Sequence, residues 1–152
     1  MMDEFVPVEE HHVAELSQTM QIEDVDSVWA LARMTPEQAL VHSLKHSVEA
    51  YAWVSDGEVG CIFGVSKANM LSSNGCQWAL SSTKVMSKPI PFLRYSKRWV
   101  SHLITNYDYL FNVVDARHTR SIKWLKWLGF TIHPAQPLGP EGELFHINDM
   151  RK

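Results

Sequence analysis

Residues 110–130, LFNVVDARHTRSIKWLKWLGF, constrain the fold of this chain more than any other stretch. Leu110, Phe111, Val113 and Val114 form a compact apolar run closed by Asp115, the composition of a strand buried on both faces. Thr119 is placed to cap the helix that follows. Ile122, Leu125 and Leu128 give that helix one apolar stripe, and Gly129 supplies a left-handed stop before Phe130. A buried strand feeding a short amphipathic helix implies a layered α/β domain.

The upstream chain supplies matching parts. Residues 5–8 read as a first strand, 11–20 as a helix with Val13, Leu16 and Met20 at helical spacing, and 25–32 as a shorter helix. Thr35-Pro36-Glu37-Gln38 is a capping box with proline at the first helical position, opening a helix with Ala39, Leu40, Leu44 and Val48 inward. Strands 51–54 and 58–65 flank Asp56-Gly57, a two-residue hairpin signal, and Asn74-Gly75 reads as a turn before a central strand at 77–81. After Pro89 and Pro91, Phe92, Tyr95, Trp99 and Leu103 mark one face of a long helix, with Arg94, Lys97 and Arg98 off that face. Strands at 131–133 and 144–147 close the domain.

At 152 residues and 45% apolar content, the whole chain, 1–152, fits one domain with a real core. No run is long enough to span a bilayer, and Met1-Met2-Asp3-Glu4 is acidic where a secretory signal is basic, so the expectation is a soluble protein made in a cytoplasm. Cys61 and Cys76 lack CxxC spacing and are expected to be reduced and structural. The net charge of −3 hides an asymmetry: residues 1–58 carry twelve acids and two bases, residues 84–126 nine bases and two acids. The difference, −10 against +7, makes the molecule dipolar. No nucleic-acid motif accompanies the basic half, which argues against nucleic acid as a partner.

This order of parts resembles the C-terminal half of the GNAT family of N-acetyltransferases, in which a strand, a loop, a helix and a Gly-Phe step lead into the last hairpin. The chain is more similar still to the internal virion protein A family of short-tailed coliphages, itself GNAT-like. That second resemblance is carried by MTPEQALVHSLKHS (residues 34–47), the Asp56-Gly57 hairpin with CIFGV (61–65), PFLRYSKRW (91–99), DARHTRSIKWLKWLGFTIHPA (115–135) and Phe145-His146. It implies a mixed sheet of about six to seven strands flanked by helices.

Three positions depart from the pattern the GNAT resemblance implies. The family's glycine-rich turn, whose N–H groups hold the coenzyme A pyrophosphate, corresponds to Val-Met-Ser-Lys-Pro-Ile-Pro-Phe (85–92), which has no glycine. Pro89 and Pro91 each delete a donor, at about 1.5–3 kcal/mol per charged hydrogen bond, leaving Lys88 and Arg94 to hold phosphate by side chain. The general-acid tyrosine falls on Leu125, and the asparagine before the last helix on His118, which reads as a surface residue, a helix cap or a proton-transfer group.

Other clusters are weaker. His42, His46 and Glu49 share a helical face without an HExxH pattern, and His11, His12, His102, His133 and His146 are scattered without a nucleophile. Trp124 and Trp127 cannot both point inward from the helix defined by Ile122, Leu125 and Leu128. With Lys123 and Lys126 they form a candidate partner-binding patch suited to an acidic protein surface, the chain's own N-terminal half included, so that salt-sensitive self-association is an expectation.

The resemblance therefore implies a phage-encoded GNAT-like module of virion morphogenesis with a degenerate coenzyme A site, located in the host cytoplasm or the virion and partnered by virion or host proteins. No cofactor is expected in that role. The alternative is an active acyl-coenzyme A dependent N-acyltransferase using acetyl-coenzyme A, with backbone groups of Gln77, Leu80 and Ser81 on the thioester, Lys88 and Arg94 on the phosphates, and His118 transferring the proton. In either case the 77–81 strand should lie parallel to residues 111–114 and splay from them, with Trp78 or Phe92 narrowing the gap.

Overall fold

The computed structural model describes residues 3–152; Met1 and Met2 lie outside the described residues. Its elements are β1 (Asp3–Pro7), α1 (Glu10–Thr19), α2 (Ile22–Ala32), α3 (Pro36–His46), β2 (Ser47–Ser55), β3 (Glu58–Lys67), β4 (Asn74–Ser81), α4 (Lys84–Ser87), α5 (Pro89–Asn106), β5 (Tyr109–Asp115), α6 (Thr119–Leu128), β6 (Thr131–Ile132), β7 (Gln136–Pro137) and β8 (Leu144–Arg151). The strands form one eight-stranded sheet in the order β1, β2, β3, β4, β5, β8, β6, with β7 also paired to β8. The two-residue strands β6 and β7 carry the count past the expected six to seven.

Local chemistry explains the clearest boundaries. Asp56 and Gly57 both take positive φ, 52° and 78°, the primed turn that matches strand twist in the β2–β3 hairpin. Thr35 and Gln38 exchange the two capping-box bonds at the start of α3. Gly129 ends α6 at φ 107°.

Several boundaries differ from the sequence reading. Val48, expected on the inner face of α3, lies in β2 and is 58% exposed, because the helix ends when Ser47 turns extended and bonds back to the Ser43 carbonyl at 2.6 Å. Asn74-Gly75 is no turn but the start of β4. Its glycine is needed for close approach, since a Cβ there would press on Tyr107, Val65 and Leu110 at 3.0–3.1 Å. Phe111 is 42% exposed and stacks on Tyr109, so β5 is not buried on both faces. His118, and not Thr119, is the N-cap of α6.

A core lies on each side of the sheet. Leu16, Leu40, Ala52 and Ile62 pack with Val25, Trp78 and Leu80 under α1, α2 and α3. Trp53, Phe63, Trp99, Leu103, Leu110 and Leu125 pack on the opposite face under α5 and α6. β4 and β5 are the parallel pair, and their ladder is short: only Asn74↔Tyr109 and Gly75↔Leu110 are in register. Beyond Gly75 the two strands part.

Candidate functional site

The parting of β4 and β5 opens a cavity of about 340 Å³ through the middle of the sheet. It is lined by Val28, Leu31, His42 and His46 from α2 and α3, by Trp99, Val100, Leu125 and Leu128 from α5 and α6, and by Gln77, Trp78, Ala79 and Leu80 of β4 between them. Trp78 stands in its wall, held by a 2.8 Å bond from its indole N–H to Ser47 Oγ. Phe92, expected to narrow the gap, instead stacks on Trp124 with ring centroids 5.4 Å apart.

Side chains cap most of the exposed edge of β4. Asn112 on β5 reaches back across the gap, its Nδ2 donating to the Gln77 carbonyl at 2.5 Å. The Ser81 N–H donates to Asp24 Oδ2 at 2.8 Å, and the Ser81 carbonyl accepts the Gln21 N–H at 2.9 Å. Ala79, midway between, turns its own N–H and C=O the same way by strand alternation, at a level where β5 has already moved off. Leu80, grouped with Gln77 and Ser81 in the sequence reading, turns its backbone to β3 opposite Ile62 and its side chain into the α1–α3 core.

Asp24 is the residue that sequence reasoning missed. It is buried, and besides the Ser81 N–H it takes the Ser81 hydroxyl at 3.2 Å and His118 Nε2 at 2.8 Å. His118 is 5% exposed, so its reading as a surface residue is corrected and its reading as a cap stands. Its Nδ1 accepts the Ser121 N–H at 3.4 Å, which puts the imidazole proton on Nε2, facing the Asp24 carboxylate. Gln21 completes the link by donating to Ser81 Oγ and accepting from Arg120. One turn of α2 is thereby fastened to the end of β4 and the head of α6, both at the mouth of the gap.

Asp115 ends β5 at the same level. Burial pushes its carboxyl up, but bonds from the Arg117 guanidinium and N–H outweigh this and hold it below its ordinary range. Burial raises the Cys61 thiol strongly and the Cys76 thiol less, and both cysteines are free.

The start of α5 offers no backbone cradle. Pro89 and Pro91 occupy its first turn behind the N-cap Lys88, and the Phe92 N–H is used by the Lys88 carbonyl. The preceding N–H groups are spent within α4: Lys84 N bonds Ser82 Oγ, Val85 N the Ser82 carbonyl, Met86 N and Ser87 N the Thr83 carbonyl, and Lys88 N the Lys84 carbonyl. Lys88 Nζ lies 3.5 Å from Asp56, and Arg94 is exposed on α5.

The tryptophan patch divides. Trp124 is turned inward against Phe92 and donates to Ser96 Oγ at 3.2 Å, so it drops out of the partner-binding set. Trp127 is 47% exposed with Lys97 Nζ 4.6 Å from its ring, and Lys123 and Lys126 are exposed beside it. The His42, His46 and Glu49 grouping is also split, because Glu49 bonds His102 at 2.6 Å. Among the described residues the group close enough to share an ion is Glu9, His11 and His12, where Glu9 and His12 already form the capping box of α1.

No family model matches the sequence, and no curated protein does. Solved structures do. An N-acetyltransferase from Staphylococcus aureus Mu50 matches with TM-score 0.73 at 10% identity, over 99% of this chain and 99% of that one. The ribosomal-protein-S18-alanine N-acetyltransferase from Escherichia coli matches with TM-score 0.70 at 11% identity, over 99% and 94%. This chain has the GNAT fold. RimL, a ribosomal L7/L12 alpha-N-protein acetyltransferase solved in complex with coenzyme A, matches with TM-score 0.71 at 9% identity, over 99% and 94%. At these identities the likeness concerns the fold alone. Among the described residues no helix is long and apolar enough to cross a membrane.

Proposed function

We propose that this protein is an acyl-coenzyme A dependent N-acyltransferase. The observation that carries the proposal is the β4–β5 gap: the ladder ends at Gly75↔Leu110, and the Ala79 N–H and C=O face the cavity beyond it. A narrow slot with strand edges on both sides suits an extended amide-bearing arm such as pantetheine, which can take strand-like bonds from β4. The phosphate end fits less well, because Pro89 and Pro91 remove two N–H groups from the first turn of α5 and the Lys88 carbonyl takes that of Phe92. Lys88 and Arg94 would hold the phosphates by side chain, as point charge and as guanidinium fork.

Bound acyl-coenzyme A would supply an activated acyl thioester for transfer to an amine nitrogen. The Ala79 N–H would donate to the thioester oxygen, where negative charge grows as the amine adds. As the C–N bond forms the thioester C–S bond breaks, and His118 would take the proton that the amine gives up and return it to the departing sulfur, so that coenzyme A leaves as its thiol. The Asp24 carboxylate, 2.8 Å from Nε2, would hold the imidazolium formed, and the long 3.4 Å contact from the Ser121 N–H leaves Nδ1 the nitrogen that can be freed. The matched N-acetyltransferases make an amine the natural acceptor class.

One set of observations favours a second reading, a GNAT-like module without catalysis. Asp24 already occupies the Ser81 N–H, Asn112 the Gln77 carbonyl, and Leu125 stands where the family's tyrosine would be. A place for that module in a phage virion rests on the sequence resemblance alone.

Calorimetric titration of acetyl-coenzyme A into the purified protein separates the two. Micromolar binding, weakened at least about tenfold in a Lys88→Ala, Arg94→Ala double variant, is the expected result. A folded protein that gives no heat at any concentration would leave the non-catalytic module.

A further inference from the structure

Three of the residues that line the cavity are exposed, Leu31 on α2 and His42 and His46 on α3. Those that line it from α5 and α6 are buried or half-buried, so the cavity meets solvent between α2 and α3. His42 and His46 stand one helical turn apart, with ring centroids 4.5 Å from each other. Among the described residues neither imidazole has a hydrogen-bond partner, whereas His12, His102, His118, His133 and His146 are each bonded within the chain. Lys45, three residues after His42 and therefore on the same side of α3, is exposed and has no ion-pair partner among the described residues.

The charges around this mouth decide what it can accept. No lysine, arginine or glutamate lines the cavity, and both of its carboxylates are spent, Asp24 on Ser81 and His118 and Asp115 on Arg117. Glu49, the next acid along the chain from Lys45, is turned to His102. A second cation on a ligand therefore meets no free carboxylate at the mouth. An anion meets N–H donors from His42, Lys45 and His46, and bonds of that kind are stronger than those to a neutral group. Val28, Leu31 and Trp78 make the adjoining wall apolar.

We infer that the acceptor enters between α2 and α3 and carries, besides its amine, an anionic group, carboxylate or phosphate, that His42, Lys45 and His46 hold. The inference rests on the proposed acyltransferase function, with the donor's phosphates on the α5 face of the sheet, opposite α3, and adds to it the class of amine. The apolar part of such an acceptor lies along Val28, Leu31 and Trp78. A polyamine, or an amine flanked by further cations, finds like charge where it needs a counter-ion.

Acetyl transfer at one fixed pH, followed as release of the coenzyme A thiol, tests it with paired acceptors: leucine and phenylalanine against their carboxamides, phosphoethanolamine against ethanolamine, and spermidine as the polycation. The carboxamides keep more of their amine unprotonated, so a preference for the acids runs against intrinsic reactivity. In the carboxylate or the phosphate series the anionic member should have a kcat/KM about tenfold higher, and a His42→Ala, Lys45→Ala, His46→Ala triple variant should lose that advantage. The wild-type comparison needs no variant, so a poorly folding one cannot blunt it. Transfer without an anionic advantage in either series, or with spermidine the best acceptor, would overturn the inference and leave the acyltransferase standing. An advantage that survives the triple variant would overturn it too, as would an acetyl-coenzyme A affinity that falls in that variant, since the anion held would then be the donor's phosphate. Calorimetric binding of acetyl-coenzyme A without transfer to any of these amines would overturn the inference alone; no binding would overturn function and inference together.

Discussion

Asp24 and His118, 94 residues apart in sequence, are hydrogen-bonded at 2.8 Å inside the domain, and their bond ties α2 to the head of α6 across the mouth of the β4–β5 gap. Asp24 also takes the Ser81 N–H, so deleting its carboxylate strands a strand donor and an imidazole at once. Asp24→Ala should cost about 2–4 kcal/mol in denaturant unfolding, the range for a buried charged group whose partners remain. Glu23→Ala next door removes an exposed carboxylate that bonds its own N–H and pairs with Arg120 at 3.3 Å, and should cost less than about 1 kcal/mol. Equal effects from the two would mean that the fastening of α2 is a surface matter.

Acid should weaken the fold through Asp115 and Asp149. Burial pushes Asp115 up, but the Arg117 bonds outweigh it and leave the carboxyl below its ordinary 3.8; Asp149 is held low by the Tyr109 hydroxyl and His133 against its own partial burial. A carboxyl depressed in the folded state stabilises fully above its unfolded value and loses that contribution as pH falls through the folded one. Stability should therefore fall below about pH 4, and Arg117→Ala should flatten the fall. Denaturation curves taken from pH 6 to pH 2 would show it; an unchanged slope in Arg117→Ala would remove Asp115 from the explanation.

Gly64 carries the Trp78 indole directly on its backbone, where a methyl group would overlap the ring. Gly64→Ala should force Trp78 off its bond to Ser47 and cost about 1–3 kcal/mol, with a shift in tryptophan fluorescence. An unshifted spectrum with an unchanged melting temperature would mean that the cavity wall at Trp78 is loose.

The two tryptophans of α6 should behave oppositely. Trp124→Ala removes a ring packed on Phe92 and should cost about 3 kcal/mol or more, whereas Trp127→Ala should stay within about 0.5 kcal/mol. Trp127, exposed beside Lys123 and Lys126, is the part of the expected partner-binding patch that stays on the surface. Sedimentation at low and high salt should show any self-association weakening with salt and lost in Trp127→Ala; a monomer in every condition would leave self-association without support.

Local signals were legible where the chemistry is local. The Thr35 capping box, the Asp56-Gly57 turn and the Gly129 stop each act over four residues or fewer and were readable from them. The order of parts between residues 110 and 130 carried the fold. Asn74-Gly75 misled because glycine serves turns and tight packing alike, and only the Tyr107 and Leu110 side chains reveal which. Asp24 was out of reach: in an acidic N-terminal half it looks like its neighbours Glu23 and Asp26, and its partners Ser81 and His118 lie 57 and 94 residues away. Gln77 was named for its backbone, while the feature that distinguishes it, an unpartnered side-chain oxygen, exists only after β5 and β8 have brought Asn112 and Asn148 beside it.

Amide chemical shifts of the isotope-labelled protein, followed as acetyl-coenzyme A is added, test the central claim most directly, because they report where as well as whether the donor binds. The largest changes should fall on Ala79, with Gln77, Ser81 and the residues after Gly75 on the gap side of β4, and a second group around Lys88 and Arg94. Changes confined to the exposed face of α6, or none at all, would contradict a donor site between β4 and β5.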